Sequence, residues 1–405
     1  MKSLLFLAHR LPYPPNKGDK IRSYHLLRIL AKHYRIHLVT FIDDANDWQY
    51  VDALKPLLAS QHIEPIKPWQ SKLQCLPALL TGAPLSFGWY NYPEVHQRVA
   101  ELVAAKEIDA VICYSSAMAQ FAERYPELPR FMDFVDMDSE KWRQYAATGK
   151  APMKWVHALE ARRLADAERD IADSFDASWL VTPEERNLFC QRLCLSPAQV
   201  GFYRNGVDDQ YFAPDASLSS PYQPHQQALV FTGAMDYHAN IDAVVWFVEQ
   251  VWPTIRARNS NAVFYIVGSN PTAAVTALGK VAGVTVTGRV PDVRPYLQHA
   301  AVAVAPLRIA RGIQNKVLEA LCMGRTVVAT PQALEGLVPD PLLADLAHDS
   351  AAAFADACLQ RMQTPLPVEA CRDYIRAHSN WEACVQPVLT AIGKTLPERT
   401  GGSPS

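Results

Sequence analysis

The stretch AVAVAPLRIARGIQNKVLEALCMGRTVVA, residues 301–329, contains one complete unit of the fold. Its first apolar run, Ala301–Ala305, predicts a buried β-strand, and Thr326–Ala329 predicts the next one. Between them, Ile313–Met323 carries apolar residues at helical spacing, which predicts an amphipathic helix. Because two parallel strands need a crossover between them, this order predicts a parallel sheet covered by helices.

The same alternation continues through the rest of the chain. Further apolar runs predict strands at Leu4–Ala8, Ile36–Phe41, Ala110–Tyr114, Arg130–Val135, Ser178–Thr182, Ala228–Thr232, Ala262–Val267 and Val284–Thr287. Helical stretches lie between them, at Ile21–His33, Tyr92–Lys106, Met153–Ser174 and from Ile241 onward. The sequence therefore predicts an α/β fold with two doubly wound domains, residues 1–210 and 228–377. A proline-rich linker (211–227), a terminal helix joined to the first domain (378–395) and a disordered tail (396–405) complete the prediction.

Composition restricts the class of protein. The 405 residues include 39 Lys plus Arg and 41 Asp plus Glu, a net charge of −2, which gives no basic surface of the kind that nucleic acids bind. No apolar run reaches the roughly 18 residues of a membrane span. Eight scattered cysteines are typical of reduced thiols in a cytoplasmic protein. Contact with a membrane surface stays open, because the basic residues Arg22, Arg28, Lys32 and Arg35 fit either anionic lipid or a solvated helix face.

Ligands of open parallel sheets bind outside the carboxyl ends of the strands, so the loop before the helix at Ile313 is the first candidate site. Gly312 precedes a helix start whose free N–H groups and dipole attract an anion. Arg311 and Lys316 add two positive charges, and Glu319 follows at about the length of one sugar, where its carboxylate accepts ribose hydroxyls. On spacing alone, a surface loop with solvated charges is an equally good interpretation.

Three motifs in their order resemble the family 4 glycosyltransferases of the GT-B fold: Asn205–Asp208, Val230–Gly233 and Arg311–Gly324. The resemblance extends to about Thr395. The finer pattern is similar to a subgroup of sugar transferases associated with the PEP-CTERM/exosortase system and exopolysaccharide synthesis. Its marks are Leu11–Lys20 (LPYPPNKGDK), Asp133–Ser139 (DFVDMDS) and Gly233–Tyr237 (GAMDY).

The resemblance implies two Rossmann-like domains that face a central cleft, with a C-terminal helix crossing back to the first domain. It implies a UDP- or GDP-sugar donor in the second domain and transfer, with retention of configuration, to a hydroxyl of a lipid-linked or polysaccharide acceptor. Protein cations and a helix terminus neutralise the diphosphate in such enzymes, so no metal and no other cofactor is expected.

Site residues follow from the same resemblance. Glu319 holds the ribose, the backbone at Arg289 and Val290 contacts the base, and Gly18 and Gly233 lie in the loops after the first strands of the two domains. Gly18 would approach the diphosphate. The amides of Gly312 and Ile313, with Arg311 and Lys316, would stabilise the departing diphosphate.

The sequence departs from the family at two points. Members usually carry two glutamates eight positions apart, and the first of these positions is Arg311 here. The Arg and Lys that usually follow the first strand of the second domain are absent from Ala234–Asn240. The donor-sugar contacts are therefore open, and two other functions stay in view: a non-catalytic nucleotide-sugar-binding subunit and a nucleotide-sugar epimerase of the same fold.

The first domain supplies the remaining candidates. Asp136, after the strand Arg130–Val135, is predicted to act in catalysis together with Arg311 and Lys316. Asp138 is predicted to cap the helix Ser139–Tyr145. Lys17, Lys20 and Asp138 are also candidates for acceptor or phosphate contacts, with solvated surface charges as the alternative for the lysines.

Overall fold

The computed structural model describes residues 1–15, 18–148, 151–309 and 313–396, without the side chains of Leu79, Leu80 and Thr148. The chain divides into two compact units. The first consists of Met1–Arg204 and of the chain from Val385 onward, and the second is Asn205–Cys384.

A seven-stranded parallel sheet forms the centre of the first unit, in the order β3-β2-β1-β4-β5-β6-β7. The strands are β1 (Ser3–Ala8), β2 (Arg35–Ile42), β3 (Ser60–Pro65), β4 (Ala110–Tyr114), β5 (Arg130–Val135), β6 (Ala177–Leu180) and β7 (Val200–Phe202). The helices are α1 (Gly18–His33), α2 (Pro68–Thr81), α3 (Leu85–Trp89), α4 (Pro93–Ala104), α5 (Asp138–Thr148), α6 (Met153–Ser174) and α7 (Pro183–Leu193), and Ala45–Leu57 and Ser116–Phe121 are 3₁₀-helical. The sheet reverses its order between β1 and β4.

Burial explains which strands the sequence reveals. Every residue of β1 and β4 is buried, so these strands are continuous apolar runs. The edge strand β3 is only half-buried and reads SQHIEP, and β7 has three residues. The sequence analysis missed both strands, because neither contains an apolar run long enough to recognise.

The second unit is built on a five-stranded parallel sheet in the order β10-β9-β8-β11-β12. Its strands are β8 (Gln227–Thr232), β9 (Ala262–Val267), β10 (Val284–Gly288), β11 (Val302–Ala305) and β12 (Val327–Ala329). Its helices are α8 (His238–Trp246), α9 (Trp252–Arg258), α10 (Ala273–Leu278), α11 (Arg294–His299), α12 (Asn315–Cys322), α13 (Pro331–Leu334), α14 (Pro341–Ala344), α15 (Ala351–Gln363) and α16 (Val368–His378), and a π-helical turn, Phe247–Val251, joins α8 to α9. A last helix, α17 (Trp381–Thr395), begins in this unit and ends in the first.

The predicted linker, 211–227, is part of the second unit and packs against its other elements. Gln298 accepts a hydrogen bond from the Asp215 N–H and donates one to the Asp215 carbonyl, both at 2.8 Å. The Tyr222 hydroxyl donates to the Tyr296 carbonyl at 2.6 Å. The unit already begins at Asn205, ahead of the predicted boundary at 210, and the Val207 N–H donates to Ser379 at 2.8 Å. Proline and serine content indicated an irregular path but not this packing.

Among the described helices, none combines the length and the apolar character that crossing a bilayer requires. Within the same residues, no group of three His, Cys, Asp or Glu side chains is arranged to hold a metal ion. The predicted tail, 396–405, lies outside the described residues from position 397 onward.

Candidate functional site

The chain after β8 and the chain after β9 approach each other closely at two glycines. A Cβ atom added to Gly268 would lie 1.6 Å from the Gly233 carbonyl oxygen, so only glycine fits there. Gly233 has a φ of +155°, and a Cβ at that position would lie 2.7 Å from the Asn240 side-chain nitrogen. The two glycines let the start of α8 fold back over the carboxyl end of the sheet.

Lys316, in the first turn of α12, is fixed by this folded-back segment. Its Nζ donates a hydrogen bond to Asn240 Oδ1 at 2.8 Å and lies 4.8 Å from the ring centroid of Phe231. Asn240 is itself buried and donates from Nδ2 to the Ala234 carbonyl at 2.9 Å. The ammonium group is therefore positioned at the carboxyl end of β8, where α12 begins.

Glu319 follows Lys316 by three residues and so lies on the same side of α12. Within the described residues its carboxylate has no hydrogen-bond partner, and Lys316 is the charged group that acts on it. Burial raises the pKa of Glu319 to about 7, and Lys316 opposes that shift. Burial also lowers the pKa of Lys316 to about 8, opposed by Glu319. The pair carries two poorly solvated, opposite charges that a polar ligand would stabilise.

The helix that holds this pair begins two residues later than predicted. Gln314 occupies the N-cap position with an extended backbone, and the Val317 N–H donates to its carbonyl at 3.0 Å. The free amides of the helix start thus belong to Asn315 and Lys316, and Ile313 precedes them, half-buried against the core. Arg311 and Gly312 lie outside the described residues.

The predicted base-contacting residues follow β10. Arg289 is exposed and Val290 packs partly against the core of the second unit. The Gly268 N–H donates to the Gly288 carbonyl at 3.2 Å, which joins the end of β10 to the glycine contact after β9. Arg289, Val290 and Gly233 therefore share one edge of the sheet.

In the first unit, Asp133, three residues before the predicted catalytic Asp136, belongs to a buried ion pair. The Arg22 guanidinium donates to both carboxylate oxygens of Asp133, at 2.9 and 3.1 Å, and to the Tyr203 carbonyl at 2.8 Å. The Tyr203 hydroxyl also donates to Asp133, and its ring lies 3.5 Å from the Arg22 guanidinium carbon. Asp136 itself is exposed. Arg22, expected to be a surface or phosphate-contacting charge, is instead fully buried.

Asp138 does not cap α5, and that prediction is wrong. The helix begins at Asp138 itself, and the buried carboxylate of Glu168, on α6, accepts hydrogen bonds from the Ser139 N–H at 3.1 Å and the Ser139 hydroxyl at 2.5 Å. Glu168, which is distant in the sequence, therefore accepts the hydrogen bonds at the start of α5 that local spacing assigned to Asp138. The Asp138 carboxylate pairs with Lys141 at 3.1 Å.

The remaining candidates of the first unit are at the start of α1. Lys20 is buried, with its ammonium 2.5 Å from a carboxylate oxygen of Asp47, so it is neither a solvated charge nor available to an anion. Gly18 is the first residue of α1, and a Cβ there would meet no atom within 4 Å. Lys17 lies outside the described residues.

Two polar residues near these sites escaped the sequence analysis. Asn240, which positions Lys316, gave no signal because a single asparagine at a helix start is common. His9, which was not among the candidates of the sequence analysis, follows β1, and its Nε2 lies 3.7 Å from Asp19 Oδ2. Its ring stacks on Tyr114 with 5.9 Å between centroids, and burial lowers its pKa.

Comparison with known proteins supports this picture of the second unit. Residues 226–364 match the family model of the glycosyl transferases group 1, and α12 lies inside that match. No curated protein sequence matches the chain.

Solved structures match both units. The sucrose-phosphate synthase of Thermosynechococcus elongatus is 15% identical and covers 98% of this chain and 99% of its own, with a TM-score of 0.66. The HepE protein of Anabaena, solved in complex with UDP, is 14% identical, and the match covers 97% of this chain and 100% of HepE, with a TM-score of 0.64. WaaG, a glycosyltransferase involved in lipopolysaccharide biosynthesis, is 15% identical, and the match covers 98% of this chain and 100% of WaaG, with a TM-score of 0.58. The prediction of two parallel-sheet α/β domains of the GT-B kind is confirmed.

Proposed function

We propose that this chain is a glycosyltransferase that moves a sugar from a nucleotide-diphosphate sugar to a hydroxyl group. The observation that carries the proposal is the Lys316–Glu319 pair on α12, within the residues that match the group 1 glycosyl transferases. An ammonium beside a helix start suits a diphosphate. A carboxylate one turn later, without a hydrogen-bond partner among the described residues, suits the hydroxyls of a ribose.

The chemical task is to stabilise the negative charge that develops on the departing diphosphate. We assign this to Lys316 and the free amides at the start of α12, with Arg311 and Gly312 as further candidates from the sequence. Burial lowers the pKa of Lys316 to about 8, so part of the side chain is uncharged at neutral to mildly alkaline pH. A bound diphosphate would raise this pKa, and Lys316 would then carry a full positive charge. Gly18 and Asp136, the candidates of the first unit, would meet the diphosphate and the reacting hydroxyls.

The donor is proposed to be a UDP-sugar first and a GDP-sugar second. HepE has been solved with UDP and with UDP-glucose, which makes UDP-glucose the first compound to test. Retention of configuration and independence of metal ions remain part of the proposal, as the sequence resemblance implies.

The acceptor is proposed to be a lipid-linked sugar or a growing polysaccharide in exopolysaccharide synthesis. WaaG, of similar fold, acts in the synthesis of a cell-surface glycan, which supports that class of acceptor. The PEP-CTERM-associated role rests on the sequence motifs alone.

Incubation of the purified protein with radiolabelled UDP-glucose or GDP-mannose and a polyprenyl-diphosphate-linked sugar tests the proposal. We expect labelled sugar on the acceptor with or without EDTA, and NMR of the product to show the donor's anomeric configuration. Isomerised donor would instead establish an epimerase. Donor that is bound and recovered unchanged across the panel would establish a binding subunit.

A further inference from the structure

Helix α2 of the first unit exposes apolar side chains to water and buries small ones. Among its described side chains, the largest apolar ones point outward: Trp69 is 66% exposed, Leu73 56% and Leu76 55%. Its inward positions carry Ser71 and Ala78, which are buried. The three outward residues are spaced by four and three positions, so they form one stripe along the helix. An isolated exposed leucine is ordinary, but a stripe of this kind marks a docking surface.

The first two turns of α6 show the same inversion. Met153, Trp155 and Leu159 are exposed, at 51%, 69% and 40%, while the glutamate that follows them, Glu160, is buried. Glu160 accepts hydrogen bonds from the backbone N–H groups of Leu85 at 2.6 Å and Ser86 at 2.9 Å. The Glu160 carboxylate is therefore used internally, whereas Met153, Trp155 and Leu159, in the first two turns of α6, face water.

Polar contacts hold the two helices next to each other. Arg163, one turn after Leu159, donates from Nη1 to the carbonyl of Ala78 at 2.9 Å and to that of Ala83 at 3.2 Å. Ala78 is on α2, two residues after Leu76. The exposed stripes of α2 and α6 thus belong to neighbouring helices of the same unit, and we refer to them together as the apolar face.

Within the two chain segments that carry the exposed apolar residues, the charged side chains are basic. The sequence contains no Asp or Glu from Lys67 to Pro93 or from Lys141 to Leu159. Lys67, Lys72 and Lys154 are exposed and form no ion pair among the described residues. A protein partner of ordinary composition carries charges of both signs and does not require that these exposed charges all be positive. The surface of an anionic bilayer attracts all three lysines and also buries the apolar side chains.

We infer that the apolar face docks the first unit onto an anionic membrane surface, with tryptophan and leucine side chains in the headgroup–acyl boundary and lysines among the phosphates. The inference goes beyond the proposed function and does not depend on it. It also differs from the membrane contact that basic residues of α1 suggested, since Arg22 is buried. The attachment is peripheral, because the helices lie on the bilayer and do not cross it.

Co-sedimentation with vesicles tests the inference on the full-length protein. We expect the protein to bind vesicles of phosphatidylcholine and phosphatidylglycerol at least about tenfold more tightly than vesicles of phosphatidylcholine alone, since each lysine near an anionic surface contributes. Tryptophan emission should shift to the blue on binding, and 0.5 M salt should weaken the binding.

The double variant Trp69→Glu, Leu73→Glu should lose vesicle binding by about tenfold or more, because it places two charges where the bilayer is apolar. Trp48→Glu is the matched control, since Trp48 is an exposed tryptophan of the same unit with Asp43, Asp44 and Asp47 near it in the chain. Both variants change exposed side chains, and unchanged circular dichroism and an unchanged thermal unfolding midpoint would show that they fold.

Wild-type protein that stays in the supernatant with anionic vesicles would overturn the inference, and so would a double variant that binds like the wild type. A wild-type dimer that the double variant converts to a monomer would identify a second copy as the occupant and also overturn it. None of these readouts uses sugar transfer, so the proposed function can fail or hold independently.

Discussion

The Lys316 ammonium donates to Asn240 Oδ1 at 2.8 Å and so joins the first turn of α12 to the first turn of α8. Asn240 is held in turn by the Ala234 carbonyl, so the acceptor cannot rotate away. An ammonium has three N–H donors, and Asn240 uses one of them. Among the described residues the other two have no hydrogen-bond acceptor and can contact an anion, which makes Lys316 the residue whose replacement tests the site most directly.

Lys316→Met should lower turnover by about 10²-fold or more, because it removes a preorganised charge from the developing diphosphate and keeps the length of the side chain. The measurement is the steady-state release of UDP from UDP-glucose in the presence of acceptor. Lys280→Met, on the exposed surface of the same unit, is the control and should be unchanged. Wild-type turnover by Lys316→Met would remove Lys316 from the site.

Binding of UDP-glucose should be strongest between about pH 7 and pH 8. Below that range Glu319, whose pKa is about 7, takes up a proton and is no longer an anionic acceptor for hydroxyls. Above it Lys316, whose pKa is about 8 in the free protein, loses the charge that attracts the diphosphate. Calorimetric titration from pH 5.5 to 9.5 measures both limbs, since the esterified diphosphate of UDP-glucose does not titrate there.

Two variants assign the limbs of that profile. Glu319→Gln should lose the acid limb and keep the alkaline one, and Lys316→Met should do the reverse. A profile that is flat in the wild type, or that keeps both limbs in both variants, would show that other groups govern binding.

Gly18→Ala separates a role in ligand contact from a role in folding. No described atom lies within 4 Å of the added methyl group, and alanine favours a helix start over glycine, so the stability should stay the same or rise by up to about 1 kcal/mol. If Gly18 approaches the diphosphate, turnover should nevertheless fall by about tenfold or more. Urea unfolding and UDP release measure the two effects, and unchanged turnover would exclude the close approach.

Gly268→Ala is the opposite case and serves as the reference for a structural glycine. The added Cβ would lie 1.6 Å from the Gly233 carbonyl oxygen, which belongs to the backbone and cannot move freely. We expect loss of stability and of UDP binding together in this variant.

Glu168→Gln should change how stability depends on pH. Burial raises the pKa of Glu168 to about 8, so the folded protein holds a proton that the unfolded chain releases at its ordinary pKa. The stabilisation is complete at low pH and decreases as pH rises toward 8, by roughly 3–5 kcal/mol in total. Glutamine keeps a neutral side chain at all pH values, so the variant should be more stable than the wild type at pH 9.

Urea midpoints from pH 6 to 9 measure this difference. Glu184→Gln, which changes an exposed glutamate on α7, is the control and should follow the wild type. Parallel curves for the wild type and Glu168→Gln would mean that Glu168 is ionised in the folded protein.

The sequence predicted the parts of the fold that are buried on both sides. Ala110–Tyr114 and Ala262–Val267 were found with their observed bounds, because a strand inside a parallel sheet must be apolar throughout. The edge strand β3 was missed because half its surface is wet. In the candidate site, the spacing of Lys316 and Glu319 after a strand left solvated charges as an equal alternative, and their assignment to a nucleotide sugar rests on the family resemblance.

Long-range contacts explain what the sequence did not show. Asp138 was expected to cap α5 because it directly precedes the predicted helix start. Instead Glu168, 29 residues after Ser139, accepts the hydrogen bond of the Ser139 N–H. Arg22 was expected at a surface or a phosphate, and Asp133, 111 residues away, holds it inside. Local spacing gives the direction of a side chain, and only the packed structure gives its partner.

The course of α17 has a consequence for biosynthesis. The second unit is one uninterrupted segment, Asn205–Cys384, whereas the first needs residues from Val385 onward, in the later part of α17. In a growing chain, every residue of the second unit is therefore added before Val385, and the first unit receives its last residues only afterwards. A released chain that stops at Cys384 should therefore contain the whole second unit and an incomplete first unit.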